Sequence, residues 1–180
     1  MFPADFLPQL SERIILRRFI AQDLERFVGY RQDPRISRFQ AWSQFSNEDG
    51  QLFINEMQIA KIGIPGEWFQ IAIAHKESNQ LIGDIGILIY EDDPTTIEIG
   101  FTLSYGDQKK GYAREALITL INSLFKLSSI KKIVAVTDIR NERSVSLLRY
   151  LGMQLSYEQK TIFKGESCVE QVFKLENIVS

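Results

Sequence analysis

The sequence predicts an α/β fold, one mixed β-sheet with helices on both faces. Three observations predict it. Ile97, Ile99, Phe101 and Leu103 alternate with Glu98, Gly100 and Thr102, which is the period of a strand. Ala113, Leu117, Leu120, Ile121 and Leu124 recur at spacings of three and four, the stripe of an amphipathic helix. The strand and helix signals together run β-α-α-β-β-β-α-β-α-β-β along the chain.

Residues 1–11 read as a loose lead-in segment. Ile14-Ile15-Leu16, between Arg13 and Arg18, predicts the first strand. Leu24, Phe27 and Val28 predict a short helix. It ends near Asp33-Pro34, because the residue before proline avoids helical backbone. Ser46-Asn47-Glu48-Asp49 resembles a capping box and opens a helix carrying Leu52, Phe53, Met57 and Ala60. Trp68 to Ala74 and Leu81 to Tyr90 predict an antiparallel hairpin turned by residues 76–80. Asp92-Asp93-Pro94 turns the chain into the strand at Ile97. Lys132 to Asp138 is another apolar strand, joined to the one before it by a crossover expected to be right-handed. Glu142 to Tyr150 predicts a helix with Gly152 as its C-terminal cap. Two strands follow around Lys164-Gly165-Glu166.

The length of 180 residues predicts a single domain, 1–180, with its core at about 13–176. Such a chain buries a core without covalent staples. Apolar residues make up 44% of it, which argues against disorder. A net charge of −2 gives no field to attract nucleic acid. One cysteine, Cys168, excludes an internal disulfide, and with one histidine, His75, no Cys/His cluster suggests a metal. The sequence has no secretory pattern and no run of membrane-spanning length, so a cytoplasmic protein with no membrane partner is expected. Monomer and homodimer both stay open.

The chemistry-bearing stretch is Gln108-Lys109-Lys110-Gly111-Tyr112-Ala113-Arg114. It sits between the strand and the helix. Gly111 and Ala113 are small where a ligand would approach backbone, and Gly111 can take a positive φ. The first helical turn has amides without intrahelical partners and a partial positive charge, which suits a phosphate or pyrophosphate. Glu98 lies on the strand face opposite Ile97 and Ile99, where a carboxylate is unexpected.

Gln108, Gly111 and Ala113 match the pattern Gln/Arg-x-x-Gly-x-Gly/Ala of the GNAT N-acetyltransferases, and the chain resembles that family. Asn141, Ser144 and Leu151-Gly152-Met153 match its second signature. Leu16-Arg17-Arg18 with Asp23, Leu81-Ile82-Gly83, Glu98-Ile99-Gly100-Phe101, and Gly111-Tyr112-Ala113 with Glu115 are similar to the RimJ/RimL type, which acetylates ribosomal-protein N-termini. The resemblance implies a twisted mixed sheet, mostly antiparallel, with one splayed parallel strand pair. Acetyl-CoA would be the cosubstrate, with no metal. It would lie between Glu98–Leu103 and Lys132–Thr137. Backbone of Phe101, Thr102 and Leu103 would meet the pantetheine arm, as would the Asn141 side chain. Amides of Lys109 to Arg114 would hold the pyrophosphate.

Direct transfer to an amine needs proton removal, an oxyanion donor and an acid for the thiolate. Glu98 is the candidate base, with a structural carboxylate as the alternative. Ser144 is the candidate acid or sulfur partner, with a helix-start hydroxyl as the alternative. The family's common tyrosine, seven residues after the asparagine, is replaced here by Leu148, and Tyr150 is turned away by roughly 200°. Lys109 and Lys110 either meet phosphate or are solvated. Tyr112 covers the pyrophosphate or packs. Phe39, Trp42 and Phe45 either line the acceptor pocket or belong to the core. His75 reads as an exposed bystander and Cys168 as a small buried hydrophobe. The resemblance puts a protein N-terminal α-amine first as acceptor, then a polyamine or aminoglycoside. The rivals are a non-catalytic acyl-CoA-binding regulatory domain and a generic phosphate-binding α/β domain.

Overall fold

A computed structural model describes residues 2–42 and 44–177. Eight strands form one sheet in the order β1-β2-β3-β4-β5-β6-β8-β7. They are β1 (Gln9–Leu10), β2 (Ile14–Arg17), β3 (Trp68–His75), β4 (Leu81–Ile89), β5 (Thr96–Leu103), β6 (Lys132–Asp138), β7 (Gln154–Phe163) and β8 (Glu166–Glu176). The helices are α1 (Leu24–Arg31), α2 (Pro34–Ser37), α3 (Asn47–Ile59), α4 (Tyr112–Phe125) and α5 (Glu142–Tyr150).

The predicted hairpin, the central strand-loop-helix and the two closing strands all form. The lead-in segment is corrected: Gln9 and Leu10 pair with Leu16 and Ile15 and start the sheet. Two residues are too few to show an alternation. Pro34 does end the preceding helix, but it also begins α2, with the Asp33 carboxylate accepting from the Arg35 amide at 2.9 Å. The capping box at Ser46 is formed in both directions, with Ser46 Oγ accepting from the Asp49 amide and Asp49 accepting from the Ser46 amide.

Among the eight strands described, only β5 and β6 pair in parallel, and their ladder is short: Thr96 with Lys132, Ile97 with Ile133, Glu98 with Val134. Beyond Glu98 and Val134 the two strands part. β5 stays bonded to β4 as far as Leu103, and β6 stays bonded to β8 as far as Asp138. The sheet is therefore forked at its centre, and the inner edges of the fork carry backbone groups free for a ligand.

Register divides the side chains between two faces. Glu98, Gly100 and Thr102 share a face with Leu88, Gly86 and Asp84 of β4. Helices α1 and α3 cover this face: Tyr30 and Arg31 bond the Asp84 carboxylate, and Met57 Sδ accepts from the Gln70 amide. The opposite face carries Ile97, Ile99 and Ile133, and α4 and α5 lie on it. Leu117, Leu120 and Leu124 of α4 and Leu148 of α5 are fully buried in the common core. Truncating a buried leucine of this kind to alanine costs about 2–5 kcal/mol, so the α4 stripe fixes the helix that the ligand loop leads into.

Candidate active site

The loop before α4 is bent twice through positive φ, at Lys109 (64°) and Gly111 (85°). Glycine takes this conformation without penalty, which accounts for Gly111. No side chain caps α4, and its first internal bond runs from the Glu115 amide to the Gly111 carbonyl at 3.0 Å. The amides of Tyr112, Ala113 and Arg114 are thus left without intrahelical partners. The loop is braced from below. Arg13 reaches the Lys110 carbonyl at 3.0 Å, ion-pairs with Glu115 at 2.7 Å and lies over the Tyr112 ring. Burial alone would raise the Glu115 carboxyl, but bonds from Ser11 and Arg13 outweigh it and hold the group below its usual range.

A cleft of about 720 Å³ runs from this loop toward the fork. The predicted residues Phe101, Thr102, Leu103, Gln108, Lys109, Gly111, Tyr112, Ala113, Arg114, Asn141 and Ser144 all line it. Lys110 does not; its ammonium lies 3.5 Å from Asp107. The cleft also collects Arg35, Arg140 and Arg143, to which the sequence pattern assigns no role. Arg35 and Arg140 are paired with Asp33 and Asp138, and Lys109, Arg114 and Arg143 leave the rim cationic around one acid, Glu142. A pyrophosphate-bearing, elongated molecule fits that rim, the free helix amides and the fork's open strand edges. Gln108 is held on both sides, donating to the Leu103 carbonyl at 3.2 Å and accepting from Arg143 at 2.8 Å.

Asn141 caps α5, its side-chain oxygen accepting from the Ser144 amide at 3.4 Å. The helix-start role weighed for Ser144 belongs to Asn141. Ser144 itself lines both the cleft and a narrower pocket of about 130 Å³. That pocket passes through the fork. Ile99, Gly100, Phe101, Ala135 and Val136 form its throat, and Leu148 closes one side. A Cβ at Gly100 would meet nothing within 4 Å.

On the far side of the pocket stand Phe39, Gln40, Phe163 and Glu170. Phe39 thus lines both cavities, but Trp42 and Phe45 do not. The Trp42 ring stacks on the Arg31 guanidinium at 3.6 Å, and Phe45 packs on Phe27. Lys164, in the β7–β8 turn, ties that turn to the segment after α2 by donating to the carbonyls of Ser37 at 2.7 Å and Trp42 at 2.6 Å.

Glu98 lines neither cavity. It sits at the closed end of the fork, half-buried, and accepts from the Tyr90 hydroxyl at 2.7 Å. Burial first, and then the bond to Glu98, raises the Tyr90 phenol well above its usual value, so it remains a donor. Tyr150 is exposed and stacked by Arg114, as its helical angle required. His75 is not an exposed bystander: it packs edge-on against Tyr112 and stands 3.8 Å from Asp107. Cys168 is buried. No group of metal-ligating side chains occurs among the described residues, and none of their helices is long and apolar enough to cross a membrane.

The family model for the acetyltransferase (GNAT) domain matches residues 13–154. The uncharacterized N-acetyltransferase YnaD of Bacillus subtilis is 26% identical over 164 residues, 91% of this chain and 92% of YnaD. An acetyltransferase of the GNAT family from Bacillus anthracis superposes with a TM-score of 0.83 at 24% identity, covering 95% of this chain and 99% of that one. The ribosomal-protein-S5-alanine acetyltransferase of Vibrio fischeri gives 0.78 at 20% identity over 96% and 97%. The microcin C7 self-immunity acetyltransferase MccE, solved with acetyl-CoA and AMP, gives 0.79 at 21% identity over 92% and 93%. The structural likenesses establish the fold, and the family model establishes the kinship. The forked sheet, the uncapped helix and the matching domain model lead to one conclusion: this chain belongs to the GNAT family of acetyltransferases.

Proposed function

We propose that this protein transfers acetyl from acetyl-CoA to a primary amine, directly, in a ternary complex. The observation that carries the reading is the fork beyond Glu98 and Val134, which joins a cationic cleft on one side to a small pocket on the other. Acetyl-CoA supplies an activated acyl group as a thioester. Lys109, Arg114 and the amides at the start of α4 hold the pyrophosphate. The strand edge from Phe101 to Leu103 and the Asn141 amide hold the pantetheine arm. Ser144 donates a hydrogen bond to the departing sulfur. Glu98 takes the amine's proton through a bridging water, since it lies two residues from Gly100 on the same strand face, about 7 Å along β5.

A protein N-terminal α-amine is the first acceptor in this reading, and a polyamine or aminoglycoside the second. The support is the RimJ/RimL-like motif set, together with the fold shared with a ribosomal-protein acetyltransferase. The test is a screen for thiol release from acetyl-CoA with short peptides bearing free N-termini, spermidine and kanamycin. Turnover with peptides above the two small amines is the expected result. Release with none of them, while acetyl-CoA still binds, overturns transfer and leaves an acyl-CoA-binding domain.

A further inference from the structure

The pocket on the far side of the fork contains a carboxylate that the proposed chemistry does not use. Glu170 of β8 lines it, half-buried, beside Phe39, Gln40 and Phe163. Across the sheet Glu170 is paired with Asp138 of β6 and with Gln159 of β7. Two acids directly opposite one another on neighbouring strands repel. Asp138 is neutralised by Arg140, bonded at 2.6 Å. Glu170 is not: its one bond is from the neutral Gln159 amide at 3.0 Å. No lysine or arginine among the described residues forms an ion pair with it. Nearby cations are already engaged, Arg140 by Asp138 and Lys164 by the carbonyls of Ser37 and Trp42.

A carboxylate that has no cationic partner and stands opposite another acid is placed to receive a cation. Of the pocket's three phenylalanines, Phe39 and Phe163 already lie near cations, Arg38 at 5.1 Å and Lys164 at 5.8 Å, so its walls accommodate positive charge. We infer that Glu170 docks the ammonium group of the acceptor, and that this pocket selects a slender primary amine. The inference rests on the transfer reading above and names the substrate class for it. At about 130 Å³ the pocket is much narrower than the 720 Å³ cleft, and the nitrogen end of the acceptor with its first few carbons enters it. An N-terminal residue with a small side chain enters, as does an unbranched alkylamine. Ser144 and Gly100 line the same space, so an amine held there stands beside the fork through which the thioester is presented.

The test is an NMR titration of ¹⁵N-labelled protein, alone and with CoA bound, using ethylammonium chloride, choline chloride and sodium chloride at matched ionic strength. Ethylammonium alone should give saturable shifts of the Gly100 and Glu170 amides. In Glu170→Gln its affinity should fall at least about tenfold, as loss of a charge-assisted bond requires, and Glu170→Asp should recover most of it. Absence of saturable shifts in the wild type overturns the assignment. So does equal affinity in Glu170→Gln, or an Asp variant no better than the Gln variant. Loss of dispersion in the Gln spectrum moves the decision to the wild-type and Asp titrations, which decide it by the same criteria. Acetyl-CoA affinity is measured beside it by calorimetry. Its failure in the wild type defeats the transfer reading, whereas the amine titration on the protein alone tests Glu170 independently of CoA.

Discussion

Glu98 and Val134 are the last paired residues of the parallel β5–β6 ladder, and the carboxylate of Glu98 therefore marks the apex of the fork. The pocket's throat begins at the next residue, Ile99, and Gly100 follows it on the same face as Glu98.

Gly100 faces open space, so an added methyl group meets nothing. Glycine inside a strand is destabilising by about 0.5–1 kcal/mol relative to alanine. Gly100→Ala should therefore raise stability by about that amount in urea denaturation. The same methyl narrows the throat, and turnover should fall. Equal turnover would show that the throat is not the path of the reacting groups.

Glu98→Gln should lower kcat by about 10²–10⁴-fold, the usual contribution of a positioned base. Acetyl-CoA affinity should be nearly unchanged, because Glu98 lies outside the cleft. Tyr90→Phe removes the one hydroxyl bonded to it and should shift the pH–rate profile. A rate unaltered at every pH in Glu98→Gln would remove the residue from the mechanism.

Ser144→Ala should reduce the rate by up to about tenfold, the worth of one hydrogen bond to a developing charge. Asn141→Ala should behave differently. It loses the α5 cap at a cost of about 0.5–2 kcal/mol in stability, and it also weakens acetyl-CoA binding. Thermal unfolding and calorimetry on the same preparation separate the two losses. A stability loss with unchanged affinity would leave Asn141 as a cap only.

Asp138 gives the site an acid limit. The bonds from Arg140 hold its carboxyl below the usual aspartate range in the folded protein. Its stabilisation is therefore fully present above the unfolded value near 4 and is lost as pH falls through the lower, folded value. Asp138→Asn should flatten the acid side of the stability profile. Identical profiles for the two proteins would show that the Asp138–Arg140 pair contributes nothing net.

The strand, loop and first helix of the site were legible in the sequence because each signal is local: an alternation ending at Leu103, a glycine at 111, a stripe from 113. Asn141 and Ser144 stood out only through their resemblance to the family's second signature. The fork was expected only through the family resemblance, with Glu98–Leu103 and Lys132–Thr137 as its strands; the pair at which it opens, Glu98 with Val134, depends on register between strands far apart in the chain and was not legible. Of the far wall, Phe39 was a candidate in the sequence, whereas Phe163 and Glu170 were hidden. The three come from a loop and two closing strands, and Lys164 of the turn between those strands bonds the loop segment at Ser37. In the sequence Glu170 is one polar residue among several in a strand of mixed character. The cationic rim was half visible: Lys109 and Arg114 adjoin the loop, whereas Arg35 and Arg143 arrive by tertiary packing.

The most direct test of the central claim is a calorimetric titration of the purified protein with acetyl-CoA, beside ATP as a control. The account predicts saturable one-to-one binding of acetyl-CoA and none of ATP, weakened in Asn141→Ala. Binding of ATP in preference, or no binding of acetyl-CoA at all, would contradict it and leave a family fold whose fork no longer holds the cosubstrate.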